Sequence, residues 1–330
     1  MSAAGPPQGA RPPGGERRAA PIGGDHTSAA GPPQGARPPG GAARSAVRGE
    51  PASVRYPIRL ARGVPTSDGA GVRLTRLMGG GTELPSVDPF LMLDHFDSPE
   101  AQDYIAGFPP HPHRGFETVT YMLDGRMRHR DNQGHEGVIE SGDVQWMTAG
   151  RGVIHSEMPE QEHGRMRGFQ LWVNLPARLK MQPAAYQEHP SAKMPVELRE
   201  GGVRVKVIAG TTARGARGPI ATEATDARYF DIALPAGALF EEPLPAGRAG
   251  CIVIYEGALA FGDGRTQDAL GIAELGAGDT VRIEASGGPA RALMIAGRPL
   301  GEPVAWHGPF VMNTKAEIAQ AIEDYQAGRF

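Results

Sequence analysis

The chain has 330 residues, 40% of them hydrophobic, with 47 Gly, 31 Pro and a formal net charge of −3. That length can carry two domains with cores of their own, and the charge leaves no footprint for direct nucleic-acid binding. A single cysteine, Cys251, excludes an intramolecular disulfide and fits a reducing compartment.

Residues 1–55 read as a disordered, Pro/Gly-rich tail. SAAGPPQGARPPGG occurs at Ser2–Gly15 and again, letter for letter, at Ser28–Gly41. With almost no aliphatic residues, such a segment cannot bury enough surface to offset its ordering entropy. The stretch also lacks the apolar core of a signal peptide, Arg17-Arg18 being followed by the polar AAPIGGDH. No apolar run downstream reaches transmembrane length. The expectation is a cytoplasmic protein with no membrane partner.

From Tyr56 the texture changes. VRLTRLM, FETVTYML, GVIESGDVQWM and GFQLWVNL, then VRVKVIAG, RYFDIAL, GCIVIYEGALAFG, DTVRIEA and ARALMIAG, alternate with turn signals such as Asp124-Gly125 and Gly278-Asp279. Short strands at regular spacing without amphipathic helices between them predict an all-β barrel or sandwich. The pattern occurs twice, predicting two tandem β-domains over residues 56–176 and 177–330. Pro176–Pro195, polar and with four prolines, reads as the connection between them. Cys251, inside CIVIY, reads as a buried structural thiol. One helix is expected near the C-terminus, capped by Thr314 with Glu317 completing a capping box, apolar at Ile318, Ala321, Ile322 and Tyr325, and stopped by Gly328.

The chemistry concentrates between Phe108 and Pro159. His111 and His113 are two residues apart, as are His155 and Glu157. In a strand, residues i and i+2 project from one face, so each pair can aim two donor atoms into one space. Three neutral imidazoles and one carboxylate suit a first-row transition metal. Glu117 has the strand parity of His111 and His113, so parity does not exclude it as a fourth donor. His129 and His135 flank the turn-like RDNQG and are expected to face solvent. His95, His163, His189 and His307 have no useful spacing. Phe116, Trp146 and Met147 read as core or pocket wall, and Arg114 and Arg151 as anchors for loop carbonyls. Tyr229–Pro299 holds no histidine, so the second domain cannot repeat the site.

HPHRGFETVTYMLDG resembles the first metal motif of the cupins. The second motif departs from the usual pattern: Gly142–His155 reads GDVQWMTAGRGVIH, with Thr148 in place of proline and two extra residues before the histidine. The whole run Phe108–Pro159, with DPFLMLDHF at Asp88–Phe96 and HGPFVMNT at His307–Thr314, resembles the pirin family over roughly Tyr56–Phe330. That resemblance implies two cupin-type β-barrel or sandwich domains, the second metal-free. It implies His111, His113, His155 and Glu157 as ligands of one divalent metal, with Fe(II) the usual ion and Mn, Cu, Ni, Co and Zn as alternatives. It further implies a quercetin 2,3-dioxygenase-type activity on a polyphenol with O₂, with Glu157 as the catalytic proton acceptor. The alternative is a redox-responsive regulator that binds a protein partner and turns nothing over. A monomer is the default expectation.

Overall fold

The structure, a computed structural model, describes residues 53–330. Nearly all of the tail expected over residues 1–55, including both copies of its repeat, therefore lies outside the described residues. Its last residues do not behave as a tail. Arg55 is buried and donates to the carbonyls of Leu244 (3.1 Å), Pro245 (2.9 Å), Arg248 (2.9 Å) and Gly276 (3.1 Å).

In chain order the first strands are β1 Pro57–Arg62, β2 Val64–Asp68, β3 Val72–Met78, β4 Phe90–Ser98, β5 Phe108–His113, β6 Phe116–Asp124, β7 Met127–Asp131, β8 Glu136–Ile139, β9 Val144–Thr148, β10 Val153–Pro159, β11 Met166–Asn174 and β12 Ala185–His189. There follow β13 Val196–Leu198, β14 Arg204–Ala209, β15 Arg228–Leu234, β16 Leu239–Pro243, β17 Ala249–Glu256, β18 Ala258–Ala260, β19 Thr266–Asp268, β20 Gly271–Leu275, β21 Thr280–Ala285 and β22 Ala290–Gly297. A hairpin of β23 Ala305–His307 and β24 Phe310–Met312 leads into α1 Lys315–Gln326. The architecture is all-β with one terminal helix.

The strands form two sandwiches. The first sets the sheet β12-β9-β6-β11-β4-β3-β2 against β5-β10-β7-β8; the second sets β1-β20-β17-β22-β15-β14-β13 against β16-β21-β18-β19. The two seven-stranded sheets pack back to back through one continuous apolar layer. Val119, Tyr121, Trp146, Phe169 and Leu171 meet Tyr229, Cys251, Val253, Leu293 and Ile295. Within that layer the Tyr121 hydroxyl donates to Asp231 (2.8 Å), which Arg291 also holds (3.0 Å). Burial pushes the Cys251 thiol up to about 12, the behaviour of an inert structural cysteine.

The sheets do not divide where composition suggested. β1 crosses to the second sandwich and pairs with β20. β12, inside the stretch read as a connection, pairs with β9 and completes the first sandwich beyond residue 176. Its backbone is a sheet edge and not a linker. In the other direction, the C-terminal hairpin and α1 return to the first sandwich. Arg114 donates to Asp324 (2.7 Å) and to the Arg151 carbonyl (2.5 Å), and its guanidinium lies 4.3 Å over the Phe330 ring. Gly115 permits this approach: its φ is +89°, and a Cβ there would meet the Val311 carbonyl at 2.0 Å. The helix has the expected capping box between Thr314 and Glu317, and it buries Ile318 and Ala321. Among the described residues no helix is long and apolar enough to cross a membrane.

Lys180 ties this arrangement together. Its fully buried ammonium donates to the Gly115 carbonyl (2.6 Å), Asn174 Oδ1 (2.6 Å) and the Val311 carbonyl (2.9 Å), and burial pushes it down to about 8. Lys180→Met strands three buried acceptors and should cost about 2–3 kcal/mol. Thr314→Ala, which removes only a helix cap, should cost about 1 kcal/mol. Urea unfolding curves checked for an unchanged m-value give both numbers; equal losses would deny Lys180 this role.

Candidate metal centre

The interior of the first sandwich is set by strand parity. On β6, Glu117, Val119 and Tyr121 point toward the second sandwich, while Thr118, Thr120 and Met122 point inward. On the opposite sheet, β5 and β10 run antiparallel with His155 directly across from His111 and Val153 across from His113. Directly opposed residues share a face, so the three imidazoles enter one space. Their ring centroids lie 4.4–5.0 Å apart, and one donor nitrogen from each falls within 4.8 Å of the others.

His111 Nδ1 donates to the Pro109 carbonyl (2.8 Å), a tautomer that leaves Nε2 as a bare lone pair. That nitrogen is 3.0 Å from Nε2 of His113. His113 and His155 are buried, which holds both well below the usual histidine range and therefore in the neutral form that ligates metals. Neither nitrogen of His155 has a hydrogen-bond partner. Buried nitrogens without partners are costly, and a cation among the three rings would satisfy one nitrogen of each. The donor set fits a divalent transition metal.

Glu157 lies on the same face of β10 beyond an irregularity in the ladder that follows His155. Its carboxylate is buried beside the imidazoles but turned toward the Thr120 hydroxyl (2.8 Å) and the Gln170 amide (3.2 Å), outside the tight group of three. Glu117 is elsewhere. The turn at Arg114-Gly115 separates β5 from β6 and resets the alternation, so the expectation of a shared face fails. Glu117 instead accepts from Trp146 Nε1 (3.0 Å) and the Thr148 hydroxyl (2.7 Å) in the layer between sandwiches. Burial raises its pKa against those two hydrogen bonds.

His111, His113 and Glu157 line a cavity of about 650 Å³, while His155 lies behind them and does not reach it. Met92, Phe108, Met127, Trp172 and Trp306 supply most of its apolar lining, and Thr120, Gln170 and the charged Asp68, Arg76 and Asp94 its polar part. Trp306, with Gly308 and Pro309, comes from the C-terminal return. Among the described residues, the second sandwich has no counterpart of the histidine cluster. Val205, Phe230, Ile252, Ile254, Phe261 and Met294 fill its interior.

Two expectations need correction. His129 does not face solvent: it is 3% exposed, on the inner face of β7 opposite Glu157. His135 is only partly exposed, and both rings lie against Glu188 of β12. Glu188 escaped the sequence reading because it sits in the supposed linker, 53 residues from His135. As expected, Phe116, Trp146 and Met147 are buried.

Comparison with known proteins agrees with this architecture. Residues 71–173 match the family model described as Pirin, and residues 229–330 the one described as Pirin C-terminal cupin domain. A pirin-like protein of Caulobacter vibrioides is 60% identical over 277 residues, covering 84% of this chain and 99% of the relative. Human pirin is 44% identical over 266 residues, 79% of this chain and 88% of its own length. The crystal structure of quercetin 2,3-dioxygenase from Acinetobacter baumannii superposes with a TM-score of 0.78 at 35% identity, covering 84% of this chain and 99% of that one. With both halves matched and the fold in agreement, the chain belongs to the pirin family and is built of two cupin-type domains.

Proposed function

We propose that this protein is a metal-dependent dioxygenase that opens the heterocycle of quercetin-like flavonols with O₂, using Fe(II). The observation that carries the reading is the position of the donor group: His111, His113 and Glu157 line a mostly apolar cavity large enough for a drug-sized aromatic ligand, with His155 directly behind them in the same donor cluster. The likeness to the Acinetobacter enzyme supports the choice of substrate class.

His111, His113 and His155 would hold the metal, with Glu157, hydrogen-bonded to Thr120 and Gln170, as the fourth ligand. A metal bound there would supply Lewis acidity to the flavonol 3-hydroxyl. Glu157 accepts the proton released from that hydroxyl, and Thr120 and Gln170 orient the carboxylate for it. Met92, Phe108 and Trp172 pack the aromatic rings and exclude water. The electron-rich flavonolate then reacts with O₂; both oxygen atoms enter the products as the ring opens and carbon monoxide leaves.

Aerobic, iron-loaded protein should bleach the flavonol absorbance of quercetin. His113→Ala should lose metal loading and turnover together. Glu157→Gln should lower kcat by about 10²–10⁴-fold, the range for a lost general base. Turnover indifferent to either change would overturn the reading. Glu117→Gln, by contrast, should leave the metal in place, as metal analysis of the purified variant would show. Loss of metal on that change would return Glu117 to the ligand set.

A further inference from the structure

Among the described residues, two buried imidazoles have neither ring nitrogen hydrogen-bonded: His155, in the centre above, and His129. His129 Nε2 lies 2.7 Å from Glu188 Oε1, but off the line that a hydrogen bond requires. The same oxygen is also 2.8 Å from His135 Nε2 and 2.7 Å from Gln145 Nε2. Three nitrogens crowd one oxygen that offers about two lone pairs, and His129 is the one left unsatisfied. One donor atom each from His129, His135 and Glu188 falls within 4.8 Å of the others.

We propose that His129, His135 and Glu188 form a second metal site, taking a divalent ion of borderline softness such as Zn²⁺, Co²⁺ or Ni²⁺. Two imidazoles and one carboxylate are a sufficient protein donor set for such an ion, with water completing the shell. The site is supported on its flanks. Tyr186 stacks on His135 at 4.0 Å, and its hydroxyl donates to Asp131 (2.7 Å), which orients the ring from below. Gly137 keeps the space clear: a Cβ there would meet His129 Cε1 at 2.6 Å and Glu188 Oε2 at 3.2 Å. Access is from solvent, since the side chains of His135 and Glu188 are 36% and 28% exposed.

The placement gives the ion a job separate from catalysis. Glu188 belongs to β12, the edge of the large sheet; His129 and His135 belong to β7 and its turn in the small sheet. An ion held by all three staples the two sheets of the sandwich at that edge. It also abuts the first centre, because His129 pairs with Glu157 across the β7–β10 ladder.

Titration of the metal-free full-length protein with Zn²⁺, followed by calorimetry and metal analysis after desalting, tests the proposal. Wild type should retain two equivalents. His135→Ala and Glu188→Gln, both at partly exposed positions, should each retain one and melt at the wild-type temperature in EDTA. His113→Ala should lose the other equivalent and keep this one, with Zn²⁺ still raising its Tm. This arm holds whether or not the protein turns over quercetin. A single equivalent in wild type that His135→Ala leaves intact would overturn the proposal, as would a second equivalent that survives both His135→Ala and Glu188→Gln.

Discussion

Packing imidazoles against one another inside a β-sandwich is unfavourable without something between them. His113 has an unpartnered Nδ1, and His155 adds a ring with neither nitrogen paired. Each unsatisfied buried polar atom costs about 1–3 kcal/mol. The fold spends its rigidity on keeping this arrangement. β5 and β10 are locked in register so that His111 faces His155, and the large sheet supplies Thr120 and Gln170 to hold Glu157. The second sandwich is the control within the same molecule. Its comparable interior holds Phe230, Ile252 and Met294, so it packs as an ordinary core and contributes the back wall on which the first sheet rests.

Much of this was legible before any coordinates. His-x-His and His-x-Glu are readable because a strand has a period of two, and nine apolar runs announce strands through β-branched and aromatic content. What failed, failed for physical reasons. Alternation from His111 would carry Glu117 to the metal side only along one unbroken strand, and the turn at Gly115 breaks that parity. The backbone needs the turn to admit the Val311 carbonyl, a contact made by residues almost two hundred positions away, of which the local pattern carries no trace.

The error over His129 has a similar origin. A loop reading RDNQG is polar, so its flanking histidines look solvated. Their burial depends on Tyr186 and Glu188, which arrive on an edge strand hidden in a proline-rich stretch. Prolines at 183 and 190 bracket β12 without interrupting it, and an edge strand tolerates them there. Non-local pairing, not local propensity, decides which sheet a short segment joins. The same holds for β1, whose partner β20 lies in the other half of the chain.

The reciprocal exchange of ends bears on how the molecule is made. β1 is synthesised early, yet its ladder partner β20 follows only after the whole first sandwich has emerged. Trp306 and Pro309, which close the pocket, are later still. During translation the nascent first sandwich therefore carries its histidines beneath an unfinished roof, and β1 waits as an unpaired strand of the kind that invites misassembly until β20 emerges. Maturation is a property of the whole chain: neither half can be finished by its own residues, and the histidine-lined chamber gains its final shape when the C-terminal hairpin docks.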